Sequence, residues 1–337
     1  MKALYDVPAP AKLNLFLHIT GRRADGYHLL QSAFMLIDWA DTLHFERRSD
    51  GRIEREDLQQ PLPADDLILR AARSLQAVSG CTQGVHIGVE KRLPAQAGMG
   101  GGSSDAASTL LALNRLWQLN FSLEQLATIG LTLGADVPFF LHGRNAWVEG
   151  IGEQITPLDV PRGRLLVVKP EAGLDTHAIF SDPSLKRDTN PATISGFAAD
   201  PYGFGRNDLQ PVAQKLCAGV TQALDWLASL GLQGRMTGSG SAVFAWAPPS
   251  LSVPKAPDAM EARMCSNLDV HPLAGWATSD EVVGRYPFRL STCVGESPSW
   301  LRHRILIPAC EGSSPSSPAK FFWVFDRWDV HAGRSFP

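Results

Sequence analysis

Three features of this chain invite chemistry by residue type and spacing: a glycine cluster heading a helical run, a strand lysine two residues from an asparagine, and an aspartate in apolar surroundings. The glycine cluster lies in Pro94 to Ala107, P-A-Q-A-G-M-G-G-G-S-S-D-A-A. Gly98, Gly100, Gly101 and Gly102 have no Cβ and can turn successive backbone N–H groups toward one anion. The run after them, A-A-S-T-L-L-A-L-N-R-L-W, is a good helix former, so its unpaired first-turn donors and positive dipole end face the same point. Two readings stand. One is a phosphate cradle, in which the serine hydroxyls can also reach phosphate or magnesium; the other is a flexible glycine turn with an ordinary cap from Ser103, Ser104 or Asp105. The stretch is not a dinucleotide fingerprint, because Ser103 stands where the third glycine belongs. Nor is it a P-loop, since no lysine lies between Lys91 and Lys169. Positive charge for a transferring phosphoryl group must therefore come from elsewhere in the chain.

A source lies in Ala11 to Ile19, A-K-L-N-L-F-L-H-I, which alternates with the period of two of a strand. Leu13, Leu15, Leu17 and Ile19 share one face; Lys12, Asn14, Phe16 and His18 share the other, putting an ammonium and a carboxamide within reach of one ligand. A wet lysine on an edge strand is the competing account. Downstream, A-D-G-Y-H-L-L-Q-S predicts a turn at Asp25-Gly26 followed by Tyr27 and His28. A flat phenol and an imidazole suit a nucleobase, and equally suit ordinary strand packing. Asp136, in G-A-D-V-P-F-F, follows a helical run from Ser122 to Leu133 whose start shows capping-box spacing, Ser122 with Gln125. It fits a helix cap, and it fits a general base that takes a proton from an attacking hydroxyl. Arg235 to Ala245, R-M-T-G-S-G-S-A-V-F-A, reads as a hairpin corner or as a second wall where backbone approaches a ligand closely.

The elements that must position these groups form an α+β pattern. Strands are predicted at 7–19, 33–37, 42–48, 84–90, 145–149 and 164–168, and helices at 66–78, 103–117 and 122–133. A polar joint at Pro161 to Gly163 separates a first domain, 1–161, from a second, 162–277. The second carries a long helix from Pro211 to Leu230, a strand from Ala242 to Ala247 and a helix near 256–266. With 337 residues, 44% of them hydrophobic, the chain can bury two cores. Residues 278–337 lose this periodicity. They carry S-S-P-S-S-P and an aromatic run, F-F-W-V-F, and read as an appended tail, disordered or weakly packed, outside catalysis. A net charge of −3 argues against nucleic-acid binding. The absence of an 18-residue apolar run and of a signal-peptide core argues for a cytoplasmic protein that does not enter membranes. The five cysteines, Cys81, Cys217, Cys265, Cys293 and Cys310, form no C-x-x-C pair, which argues against structural zinc and a disulfide scaffold.

The segments P-A-K-L-N-L-F-L, R-x-D-G-Y-H-L-L-Q-S, A-G-M-G-G-G-S-S-D-A-A, G-A-D-V-P-F-F and M-T-G-S-G-S-A-V-F, with H-P-L-A-G-W at His271 to Trp276, resemble in order and spacing the GHMP superfamily of small-molecule kinases. The resemblance spans about residues 7 to 277 and implies a two-domain α+β fold with the active site in the interdomain cleft. It implies ATP as phosphoryl donor with Mg2+ accompanying it, although no carboxylate in the sequence stands out as a metal ligand. Asp136 matches the superfamily's catalytic aspartate and Lys12 the lysine that pairs with it. Pro94, Ala95, Gln96, Ala97, Gly98, Met99, Gly100, Gly101, Gly102, Ser103 and Ser104 match the triphosphate cradle, with Met99 where leucine is more usual. Asn14, Tyr27, His28, Thr176 and Phe180 match positions around a small-molecule acceptor bearing a cytidine group, whose cytosine would stack between Tyr27 and Phe180. A monomer or homodimer is expected. Another small-alcohol kinase, or a nucleotide-binding regulator that has lost catalysis, is the alternative; such a relic should have lost its charged pair, and both Lys12 and Asp136 are present.

Overall fold

The alternation noted around Lys12 belongs to a hairpin that organises the molecule. β1 (Ala3–Arg22) pairs antiparallel with β2 (His28–Arg48) along nearly its whole length. The expected turn joins them: the Tyr27 amide donates to Asp25 Oδ1 at 3.2 Å, and Gly26 takes a positive φ of 93°. The strands predicted at 33–37 and 42–48 are one continuous strand. β2 runs through Asp38 to Asp41 because β1 supplies it with partners on both sides of that interruption. The computed structural model describes residues 1–252 and 255–277; the stretch 278–337, set apart by its composition, lies outside them.

The second edge of β2 is shared in turn by three strands. Ser32 to Phe34 pair with β5 (Ala146–Glu149), Leu36 and Ile37 with β10 (Met260–Leu268), and Thr42 to Arg48 with β4 (Gly84–Glu90). β3 (Ile53–Asp57) lies parallel to β4, as the intervening α1 (Leu67–Ser79) requires of a crossover. β6 (Gln154–Pro157) extends β5, and beyond β10 the sheet continues through β7 (Arg164–Pro170), β9 (Val243–Ala247) and β8 (Arg235–Met236). α2 (Gly101–Leu116), α3 (Leu123–Leu133) and α4 (Val137–His142) pack with α1 into one core around Phe34, Phe45, Leu110 and Phe139. The remaining helices are α5 (Thr176–Ser181), α6 (Ile194–Ala199), α7 (Gln210–Leu216) and α8 (Ala218–Ser229). The last two cover Leu166, Val168 and Val243 of the sheet. The capping box at Ser122 and Gln125 forms as expected.

Two expectations fail. The helix predicted near 256–266 is β10: its M-E-A-R-M opening favours a helix by only tenths of a kcal/mol per residue. That preference is overridden by a ladder from Met260↔Pro170 to Ser266↔Arg164 and a further contact with β2. The single helix expected over Pro211 to Leu230 breaks at Cys217, which is extended at φ −140° and ψ 103°. The break lets Gly219 sit against the end of β7, where a Cβ would lie 2.9 Å from Pro170 Cβ.

Candidate active site

The glycine loop is fastened to its surroundings by backbone. The Lys12 amide of β1 donates to Met99 O at 3.0 Å, while the Ser241 and Ala242 amides donate to Gln96 O and Ala97 O. Gly98 takes φ 71°, and a Cβ there would fall 2.3 Å from Thr237 O, so the Gly238–Gly240 turn closes directly on the loop. The close backbone approach read into Arg235 to Ala245 is therefore present. α2 begins two residues earlier than expected, at Gly101, with Gly100 as a left-handed N-cap that makes no side-chain cap bond. Ser103, Ser104 and Asp105 lie inside the helix and do not cap it. Ser104 Oγ donates instead to Pro10 O at 2.6 Å, tying α2 to β1. The early amides of α2 are thus left to whatever binds in front of the loop.

Lys12 enters this space from β1. Its ammonium donates to Asn14 Oδ1 at 2.5 Å, lies 4.4 Å from the Phe34 ring centroid, and stands 3.5 Å from Asp136 Oδ2. A Cβ on Gly100 would lie 3.3 Å from Lys12 Cε, which places the lysine stem against the loop. The wet-edge account of Lys12 does not hold, since the residue is 4% exposed. The free edge of β1 is covered by Thr237 Oγ1 on the Asn14 amide, Arg206 O on the Leu17 amide and Asp208 Oδ2 on the Ile19 amide. Asn14 also donates from Nδ2 to Ser32 Oγ at 2.9 Å, so its carboxamide is engaged at both ends. Asp136 occupies the N-cap position of α4 without using its carboxylate as a cap, and its side chain is 30% exposed. A Cβ on neighbouring Gly134 would approach Ser103 Oγ to 3.6 Å, so loop and aspartate segment adjoin.

The other predicted site residues gather less tightly. His28 and Phe180 pair, with ring centroids 5.0 Å apart at 37°. Tyr27 is 60% exposed. Thr176 Oγ1 lies 2.7 Å from Ser239 Oγ, at the glycine turn that meets the loop. Phe180 thus lies in direct ring contact with His28, while Tyr27, next to His28 in the chain, is exposed.

Sequence reasoning missed a buried assembly behind the loop. The Lys91 ammonium bonds Asp41 Oδ2 and, at 2.7 Å, Asp105 Oδ2. Asp41 Oδ1 also accepts from the Arg92 and Leu93 amides at 2.6 and 2.7 Å, while Asp105 Oδ1 has no hydrogen-bond partner among the described residues. With one cation for two sealed carboxylates, burial pushes the Asp105 carboxyl up to about 8 against the pull of Lys91. Burial works against the Lys91 charge, but Asp105 and Asp41 raise its pKa on balance. The sequence offered no local signal for it: Asp105, directly after Ser103 and Ser104, reads as one more cap candidate. Two clefts, of about 450 and 380 Å³, are each lined in part by Pro94, Ala95 and Glu261, the second touching Lys91. Among the described residues no group of three or more His, Cys, Asp or Glu side chains could hold a metal, and no helix is long and apolar enough to cross a membrane.

Comparison with known proteins shows the family of the chain. Residues 66–144 match the GHMP kinases N terminal domain and residues 195–267 the GHMP kinases C terminal domain. A 4-diphosphocytidyl-2-C-methyl-D-erythritol kinase of Albidiferax ferrireducens is 71% identical over 282 residues, 84% of this chain and 98% of that protein. One from Acidovorax sp. is 68% identical over 280 residues, 82% and 99% of the two chains. A crystal structure of a 4-(cytidine 5'-diphospho)-2C-methyl-D-erythritol kinase superposes with a TM-score of 0.65 at 34% identity, covering 77% of this chain and 98% of that one. A homoserine kinase from Cytophaga hutchinsonii shares the fold, with a TM-score of 0.59 at 14% identity over 80% and 96%.

Proposed function

We infer that this chain, which belongs to the 4-diphosphocytidyl-2-C-methyl-D-erythritol kinase family of GHMP kinases, transfers the γ-phosphoryl group of ATP to the 2-hydroxyl of 4-diphosphocytidyl-2-C-methyl-D-erythritol, a step of non-mevalonate isoprenoid precursor synthesis. The observation that carries the assignment of roles is the approach of Lys12 to Asp136, 3.5 Å apart beside the left-handed Gly100 of the phosphate loop.

In this scheme the loop amides and the α2 N-terminus hold the ATP phosphates. The substrate 2-hydroxyl oxygen bonds to the γ-phosphorus as the bond to the β,γ-bridging oxygen breaks, ADP leaves, and the hydroxyl proton passes to the Asp136 carboxylate. Such a transfer asks the protein mainly for alignment and charge neutralisation. Lys12, held by Asn14 at its ammonium, supplies positive charge beside the attacking oxygen. Mg2+ bound to ATP would add charge on the phosphate side. Because that ion takes most of its oxygens from phosphate and water, the Ser103 hydroxyl at the loop is the protein donor that fits, and Asp105, sealed against Lys91, does not fit. His28 and Phe180, with Tyr27 and Thr176 at the rim, would take the cytidine end.

A coupled ADP-release assay with ATP tests this reading. The cytidylated methylerythritol should support turnover while homoserine and mevalonate do not; consumption of either of those in its place would overturn the substrate assignment.

A further inference from the structure

Arg187 stands at the centre of the nucleobase end with no part in the scheme above. It follows α5, and its guanidinium makes four bonds. Nη1 donates to Leu185 O at 3.0 Å, and Nη2 donates to Phe180 O and Asp182 O at 3.0 and 2.9 Å. These three fold residues 180–187 into a fixed bend that carries Phe180. The fourth crosses to the β1–β2 hairpin, where Nε donates to His28 Nε2 at 3.0 Å. A guanidinium has donors only and keeps its protons in a protein. His28 Nε2 must therefore present its lone pair, and the neutral ring carries its proton on Nδ1. A doubly protonated ring would set an N–H against the guanidinium. The His28 pKa is accordingly lowered, by burial first and then by the Arg187 and Arg22 charges.

We propose that Arg187 is a specificity-positioning residue: it locks His28 in the Nδ1–H form and holds Phe180 against it, so that the pair selects a pyrimidine whose ring edge accepts a hydrogen bond. This rests on the cytidine-bearing acceptor inferred above. Cytosine N3 accepts, whereas uracil N3 carries a proton and would meet the locked donor with another donor. A histidine free to exchange tautomers would serve either base. One held in a single tautomer rejects the wrong base, because a desolvated donor is left unpaired.

The full chain, Arg187→Met and Arg187→Lys would be compared by steady-state kinetics with the cytidylated acceptor and its uridylated counterpart, and by the 15N shifts of the His28 imidazole. In the unaltered protein His28 should show a single Nδ1–H tautomer. In Arg187→Met it should become a mixture, and KM for the cytidylated acceptor should rise about 10–100-fold, with KM for ATP unchanged, consistent with loss of hydrogen bonds to a charged group. The preference for cytosine over uracil should fall about tenfold, the worth of about 1.4 kcal/mol. Arg187→Lys, which keeps a cationic donor near Nε2, should recover part of both the tautomer signature and the preference. A raised KM with tautomer and preference unchanged would make Arg187 only a loop fastener and overturn the proposal. An Nε2–H tautomer in the unaltered protein would also overturn it. Failure to phosphorylate any cytidylated acceptor would sink the functional reading instead, and the tautomer measurement would still decide the Arg187–His28 lock.

Discussion

Two lysine–aspartate assemblies flank the glycine loop, and they are built to opposite ends. In front of it, Lys12 and Asp136 stand 3.5 Å apart, with the carboxylate partly open and its capping role unused. Behind it, Lys91 is bonded to Asp41 and Asp105, both closed from solvent. The open pair keeps its charges available to a ligand and contributes little to holding the chain. The sealed triad spends its charges on one another, joining β2, the end of β4 and the first turns of α2. Removing the buried Lys91 cation leaves the sealed Asp41 carboxylate uncompensated, whereas a partly wet aspartate can return to water. In the proposed scheme the same two residue types serve reaction on one side, while on the other they tie β2, the end of β4 and α2 together behind the glycine loop.

The contrast breaks or sharpens with three sets of variants. Asp136→Asn and Lys12→Met should lower turnover about 100- to 10,000-fold, the span of a lost proton acceptor or its charge partner. Urea unfolding of both should stay within about 1–2 kcal/mol of the unaltered protein. Melting of either variant together with its activity would erase the distinction. Lys91→Met should do the reverse, costing about 3–5 kcal/mol in the same unfolding measurement. Lost turnover at unchanged stability would move Lys91 to the catalytic side.

Asp105→Asn should change stability least near neutral pH, and its effect appears in the pH dependence of stability. Burial pushes the Asp105 carboxyl up to about 8 in the folded chain, against 3.8 for a solvated one, so the folded chain keeps a proton that the unfolded chain releases. Its contribution is fully present below about pH 4 and is lost as pH rises through about 8. The asparagine variant, which can still accept from Lys91, should flatten that decline. A slope unchanged between pH 4 and 9 would show that Asp105 does not carry the proton.

Much of the open assembly was legible because its signals are local. Alternation marked the strand carrying Lys12 and Asn14, the glycine cluster marked the loop, and the Ser122–Gln125 spacing marked the start of α3. The sealed triad was not legible, since Asp41, Lys91 and Asp105 come from three separate elements and none has a distinctive neighbourhood in the sequence. Arg187 was equally silent, one basic residue in an irregular segment. β10 misled outright, because helix propensity is a property of a few residues and the ladder that overrode it lies on β7.

The sequence by itself determined where backbone could turn freely, which faces of a strand would be apolar, and which helices would start at a cap. These depend on Cβ atoms, periodicity and neighbours a few positions away. Only the tertiary structure decided that Lys12 meets Asp136, that Lys91 is shared by two acids, and that Arg187 reaches His28. Each of those contacts joins segments far apart in the chain, and their distances follow from how the sheet and helices pack.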